Sequence, residues 1–116
     1  GNTYQGWQYK DWVGFKTQSG YFFFKPHETS EKLFWEMTSE SQPRLIRGKN
    51  ILSRVWLYEM DCEKNAMALL QVTGFGEVLG RGDPAWTHPV AGKKWQYARP
   101  DTNGNAALQY VCNRAP

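Results

Sequence analysis

Cys62 and Cys112 are the two cysteines of the chain, and each closes an apolar or aromatic run. Val55-Trp56-Leu57-Tyr58-Glu59-Met60-Asp61 precedes the first and Ala106-Ala107-Leu108-Gln109-Tyr110-Val111 the second. Read as one disulfide, they staple the last element of the fold onto a middle one and place the protein outside a reducing cytosol. The bridge closes a loop of 50 residues, which restricts the unfolded chain by roughly 4 kcal/mol in the chain-entropy account. That is a large share of the ~5–15 kcal/mol by which a small domain is stable. The competing reading is two buried free thiols, because unpaired cysteine is among the most buried residue types. Pairing and compartment rules favour the bridge. The chain holds no Asn-x-Ser/Thr acceptor, which suits a bacterial envelope better than a eukaryotic secretory route.

With 116 residues there is room for a single core, so residues 1–116 are read as one domain. Its longest uncharged apolar stretches fall far short of a bilayer span, so no transmembrane segment is expected. The chain starts at Gly1 without the basic, apolar and small-residue series of a signal peptide. A mature or trimmed chain fits this, with an export signal or a lipid anchor upstream. The net charge of +3 is modest, with acids scattered among the bases, and no nucleic-acid partner is expected.

Along the chain, Trp7, Tyr9, Trp12 and Phe15 suggest an edge strand with an irregularity near Gly14. Gln18-Ser19-Gly20 then turns the chain into Tyr21-Phe22-Phe23-Phe24, a hairpin from residue 7 to residue 25 that Pro26 limits. Residues 28–40 suit either a short helix with Leu33, Phe34 and Met37 on one face or a strand. Ser39 to Asn50, with Gln42-Pro43 and Gly48-Lys49-Asn50, reads as a long polar connection. Ser53 to Cys62 is the clearest strand, alternating Val55 and Leu57 against Trp56, Tyr58 and Met60. Glu63-Lys64-Asn65 makes a turn, and Ala66 to Phe75 pairs back antiparallel. A glycine-rich excursion from Gly74 through Gly82, with Pro84 and Pro89, is the main loop; Lys94 to Ala98 is a short extended piece. Asp101 or Thr102 caps a terminal helix reaching about Asn113, with Ala106, Ala107, Tyr110 and Val111 near one face.

The segment Ser53-Arg54-Val55-Trp56-Leu57-Tyr58-Glu59-Met60-Asp61-Cys62 resembles the bacterial surface-adhesin E family, which carries a strand of the form Ser-Lys/Arg, six residues, then Asp-Cys. Gly74 and Gly76, Trp95 followed by Pro100, and the closing Val111-Cys112 occur in that family's order. The N-terminal half is similar more loosely: Lys25 precedes Pro26 where the family usually has an Asp. The resemblance implies a small antiparallel sheet with a helix, joined through the two cysteines, in exported or lipid-anchored proteins of the bacterial periplasm, outer membrane or cell surface. It also implies adhesion to host matrix or serum proteins, and allows a homodimer. The fold class expected is α+β: an antiparallel sheet of about four to six strands, with a C-terminal helix packed on one face and tied to a central strand by the disulfide.

Candidate sites are few. Arg44, Arg47, Lys49 and Arg54 lie in a stretch without an acid and are candidates to contact an anionic surface or glycan, against the blander reading of a solvated loop. Arg81-Gly82-Asp83 matches an integrin-binding tripeptide and sits in the expected loop. Pro84 drives Asp83 toward extended backbone, and turn chemistry is the stronger reading of those residues. Trp86 and Trp12 are the aromatics chosen as exposed. His27 and His88 lack ligand spacing, so no metal and no cofactor are expected. Glu59, Asp61 and Glu63 fall on one face of a strand, and an ionic surface met by Lys64, Arg54 or a neighbouring strand is favoured over a carboxylate pair. No nucleophile elbow or phosphate loop appears. The reading is a non-catalytic binding protein of the envelope, with a host or envelope protein as partner, acting through the Arg44 to Arg54 stretch and the Gly80 to Pro89 loop. A periplasmic inhibitor or immunity-type protein, blocking an enzyme with that loop, is the alternative, and a small-ligand carrier would need a sizeable apolar pocket.

Overall fold

The computed structural model describes residues 6–113; the expectations attached to Gly1 lie outside them. The strands are β1 (Gly6–Tyr9), β2 (Trp12–Lys16), β3 (Gly20–Pro26), β4 (Leu33–Ile46), β5 (Lys49–Asp61), β6 (Ala66–Phe75), β7 (Pro84–Pro89) and β8 (Trp95–Tyr97), followed by helix α1 (Asn103–Cys112). The first seven strands pair antiparallel in chain order, and β8 adds to β6 at Ala66, Met67 and Ala68, next to the part that β7 pairs. The expected α+β class holds, while the count of four to six strands is corrected to eight among the described residues.

The extra strands come from a split of the opening hairpin and from β7, and the ambiguous 28–40 segment and the expected 39–50 connection are settled as well. The hairpin from residue 7 to residue 25 is three strands, because the chain reverses at Lys10, whose φ is 55°, and not near Gly14. Gly14 lies within β2 between Trp7 and Phe23, where a Cβ would meet the Phe22 carbonyl oxygen at 1.9 Å, so only glycine lets β2 and β3 close. Of residues 28–40, the part from Leu33 on is strand: Phe34 pairs Tyr58 and Met37 pairs Val55, which places Phe34 and Met37 on opposite faces. The connection expected from Ser39 to Asn50 is paired structure. β4 passes through an irregularity between Ser39 and Arg44, which accommodates Pro43 and its missing N–H, then pairs β5 as far as Ile46 and Lys49. Arg47 and Gly48 close the hairpin with φ of 53° and 77°, as a type I′ turn requires.

The core sits between one sheet face and α1. Phe22, Phe24, Phe34, Ala107, Leu108 and Val111 form its buried cluster, and Tyr58, Met60, Met67 and Val13 pack against it. Thr102 caps the helix: its hydroxyl accepts the Asn105 amide at 3.1 Å and donates to the Arg99 carbonyl at 2.7 Å. The helix presents Ala107, Leu108 and Val111 inward, with Tyr110 half-buried on Phe24. Cys112 bonds Cys62, just past β5, with the Cα atoms 5.7 Å apart. The expected staple is therefore present.

Residues 76–83 fold over the opposite face. The Leu79 amide donates to Ser39 Oγ at 3.0 Å, the Gly80 amide donates to Ser53 Oγ at 2.8 Å, and that hydroxyl donates to the Glu77 carbonyl. Ser53, 1% exposed, thereby satisfies two backbone groups of the loop from inside the sheet. Gly80, with φ of 66°, brings the turn against Met37 and Val55. From Pro84 the chain is strand, so the Gly80 to Pro89 loop is shorter than expected and ends where Pro84 opens β7.

Candidate functional site

The β4–β5 hairpin extends beyond the part of the sheet covered by α1 and by the 76–83 turn. Residues 41–50 are exposed except for the half-buried Ile46, and Leu45 keeps 75% of its surface in water. Arg44 stands opposite Ile51, Lys49 opposite Ile46, and Arg47 forms the turn. Arg54 lies further into the sheet between Thr38 and Gly74. The four cations expected to act together are thus placed along one hairpin by strand pairing.

Two of these cations are held by aromatic rings. The Arg54 guanidinium lies 4.9 Å from the centre of the Trp56 ring, and that of Arg47 lies 5.6 Å from the centre of the Trp86 ring. Trp86 is on β7, opposite Gly74, and its Nε1 donates to the Ile46 carbonyl at 3.2 Å. A Cβ on Gly74 would meet that ring at 2.6 Å, so the missing side chain is what lets Trp86 lie across β6 and reach the hairpin. Arg44 Nε pairs with Glu40 at 3.3 Å. Burial, then the nearby Arg44 cation, disfavour the charge of Arg54, and Glu40 offsets part of this. The local field is therefore positive.

Other expected positions fall differently. Trp12 and Trp86, chosen as exposed, are half-buried: Lys25 lies 4.7 Å from the centre of the Trp12 ring and Trp86 packs as above. The exposed large rings are Trp7, Trp95 and Tyr97, on the short strands β1 and β8, where too little pattern exists to tell the wet face. Arg81, Gly82 and Asp83 are all exposed, Gly82 with φ of 81°, and Arg81 Nε donates back to the Val78 carbonyl at 3.4 Å. This turn runs beside the hairpin, with Gly76 near the Asn50 carbonyl. Leu45 and Trp56 were missed: a strand reading of 44–46 would have marked Leu45 as unpartnered, and strand alternation would not have revealed that Trp56 carries a guanidinium.

His27 and His88 are well apart in the sheet. His27 Nδ1 accepts the Thr29 and Ser30 amides at 3.2 and 3.1 Å and its ring stacks on Trp35, while His88 pairs across from Val72. Among the described residues no three metal-ligating side chains gather. Glu59 is met by Lys93 at 2.7 Å, Asp61 accepts the Lys64 amide at 3.1 Å, and Glu63 lies in the turn beyond the strand. The three acids thus form no pair, and the cation that answers Glu59 comes from the β7–β8 connection. The unexpected acid is Glu36. It is 6% exposed beneath α1, close to Gly104, with Oε2 unpaired among the described residues; burial pushes its carboxyl up to about 8. A cleft of about 460 Å³ opens beside the disulfide, between Pro26, Leu33 and Val111, with Glu28 and Glu31 on its lining.

The fold is a helix-backed antiparallel sheet, tied by one disulfide and carrying a cationic hairpin. The chain belongs to the surface-adhesin protein E family, whose model matches residues 12–113. No curated protein and no solved structure matches it. The family assignment makes it an adhesin-like surface protein at that level, and no helix among the described residues is long and apolar enough to cross a membrane.

Proposed function

We propose that the protein is a non-catalytic adhesin of the bacterial envelope that contacts a host or envelope macromolecule through the β4–β5 hairpin. Arg44, Arg47, Lys49 and Arg54 supply the charge, Trp86 anchors the hairpin, and Arg81 and Asp83 lie on its rim. The observation that carries this reading is the hairpin itself: ten consecutive positions, 41–50, nearly all exposed, with cations held on Trp56 and Trp86. A projecting, pre-ordered and charged element loses little conformational freedom when it meets a partner. A single domain over residues 1–116, exported beyond the inner membrane, completes the proposal, and the disulfide supports it.

The test is attachment of purified protein to host cells and to immobilised extracellular matrix. The triple variant Arg44→Ala, Arg47→Asn, Lys49→Ala is expected to lose attachment while its circular dichroism and melting temperature stay those of the parent. Undiminished attachment by the folded variant would remove the hairpin as the contact element.

A further inference from the structure

We propose that the β4–β5 hairpin binds a sulfated polysaccharide, with sulfate groups bridged by the guanidinium groups of Arg44, Arg47 and Arg54 and by the ammonium of Lys49. This rests on the reading of the hairpin as the contact element and names its ligand. Charge complementarity is the first argument. From Arg44 to Arg54 the chain has four cations and no acid, and Glu40 is the carboxylate that pairs with Arg44. Arg54 stands close enough to Arg44 for their charges to oppose one another. An incoming anion relieves that repulsion as well as gaining its own contacts.

Geometry selects the kind of anion. Arg47 and Arg54 lie over indole rings, which restrains their guanidinium groups, and a guanidinium can donate two parallel hydrogen bonds to one oxyanion. From Lys49 to Arg54 the extended strand covers about 17 Å at roughly 3.3 Å per residue, so the cations form a row and not a pocket. A row of cations, two of them held over rings, matches a linear polymer whose anionic groups repeat along it. The surroundings disfavour the other polyanions. A protein interface needs a buried apolar centre with large anchors, and among the exposed large hydrophobics of the described residues only Leu45 lies on this hairpin. Docking on an anionic membrane draws on bulky apolar residues that enter the lipid, and one leucine at the tip does not supply that.

The experiment measures binding of the disulfide-intact protein to heparin, to poly-glutamate and to vesicles containing phosphatidylglycerol, at physiological salt. Heparin is expected to bind, with affinity that falls as salt rises. The triple variant Arg44→Ala, Arg47→Asn, Lys49→Ala is expected to weaken it by about tenfold or more, while Lys32→Ala, Lys64→Ala, Lys94→Ala, which removes the same charge elsewhere, costs less than about twofold. Asparagine is used at 47 because it tolerates the positive φ of that turn. Equal losses in the two triples would reduce the effect to net charge and overturn the proposal. Poly-glutamate binding as tightly as heparin would assign the hairpin to an acidic protein, and vesicle binding as tight as heparin to a membrane; either overturns it. Loss of cell attachment by the hairpin variant, with no heparin binding by the parent, would overturn the glycan assignment and leave the hairpin as the contact element.

Discussion

The β4–β5 ladder has two ends that are built differently. At the Leu33–Glu59 end, the strands lie under α1, Phe34 joins Phe22 and Phe24 of β3 in the core with Ala107, Leu108 and Val111, and the Cys62–Cys112 bond ties the helix down just past Asp61. At the Ile46–Lys49 end the 76–83 turn only flanks the hairpin near Asn50, and the hairpin relies on a tight turn, a bulge around Pro43 and the Trp86 ring. Apolar burial and the covalent tie are concentrated at one end, exposed charge at the other. Changes at the helix end are expected to act on stability and leave recognition alone; changes at the hairpin end are expected to do the reverse.

The strongest way to break that division is to remove the tie. Cys62→Ala with Cys112→Ala frees a 50-residue loop and is expected to cost about 4 kcal/mol, lowering the thermal midpoint by roughly 15 °C for a domain of this size. Below its melting temperature the variant should still bind through the hairpin with parental affinity, as read by cell attachment. Lost attachment in a folded variant would show that the two ends are coupled.

Glu36 sharpens the comparison because it is a titratable group inside the reinforced end. Its folded pKa, raised to about 8 by burial, lies above the ordinary carboxyl value of 4.5. The folded protein therefore holds a proton that the unfolded chain releases between those two values. The stability that this proton provides is complete below about pH 4.5, declines as pH rises through neutrality, and is gone above about pH 8, an effect on the order of a few kcal/mol. Denaturant unfolding should show the parent weakening from about pH 5 to about pH 8 and Glu36→Gln nearly flat over that range. A parent curve as flat as the variant's would place the carboxylate in a better solvated site than its 6% exposure indicates. Tyr58, whose hydroxyl is also pushed up, chiefly by burial and then by Glu36, is expected to stay protonated throughout.

Trp86→Ala probes the hairpin's own support. It removes a half-buried ring, the hydrogen bond to the Ile46 carbonyl and the platform under Arg47, and is expected to make local opening of the hairpin easier by about 2 kcal/mol without changing global unfolding. Hydrogen exchange should speed up at the amides of residues 44–50 and stay unchanged in α1. Faster exchange in α1 would mean that the hairpin end transmits to the core.

How the two ends appear in the sequence follows from the same physics. The helix end was legible: Ser53 to Cys62 and Ala66 to Phe75 carry β-branched and aromatic residues over long runs, Thr102 marks a cap, and two cysteines in register with apolar runs point to each other. The hairpin end was hidden because its residues are exposed on both faces, so no alternation distinguishes Arg44-Leu45-Ile46 from a loop, and Gln42-Pro43 reads as a break. Arg47-Gly48 is not one of the stronger hairpin dipeptides. The four cations were found from their spacing, but their ordering on Trp56 and Trp86 depends on partners 2 and 39 positions away. Glu36 was invisible because nothing local separates a buried strand glutamate from a wet one.

The smallest expected effect concerns Asp83. Its loop is anchored from beneath by Ser39 and Ser53, Arg81 bonds back to Val78, and Pro84 begins the pairing of β7 with Phe75. Those constraints give Arg81-Gly82-Asp83 a structural role as the closure of the 76–83 turn, while its exposed charges sit on the rim of the hairpin surface. Rim charges adjust association rate more than affinity, because water screens them. Asp83→Glu should therefore change stability by less than about 0.5 kcal/mol and attachment to integrin-bearing cells by less than about twofold. An integrin contact through this tripeptide would require the shorter carboxylate. Attachment abolished by that single added methylene would move the binding site from the hairpin to the turn.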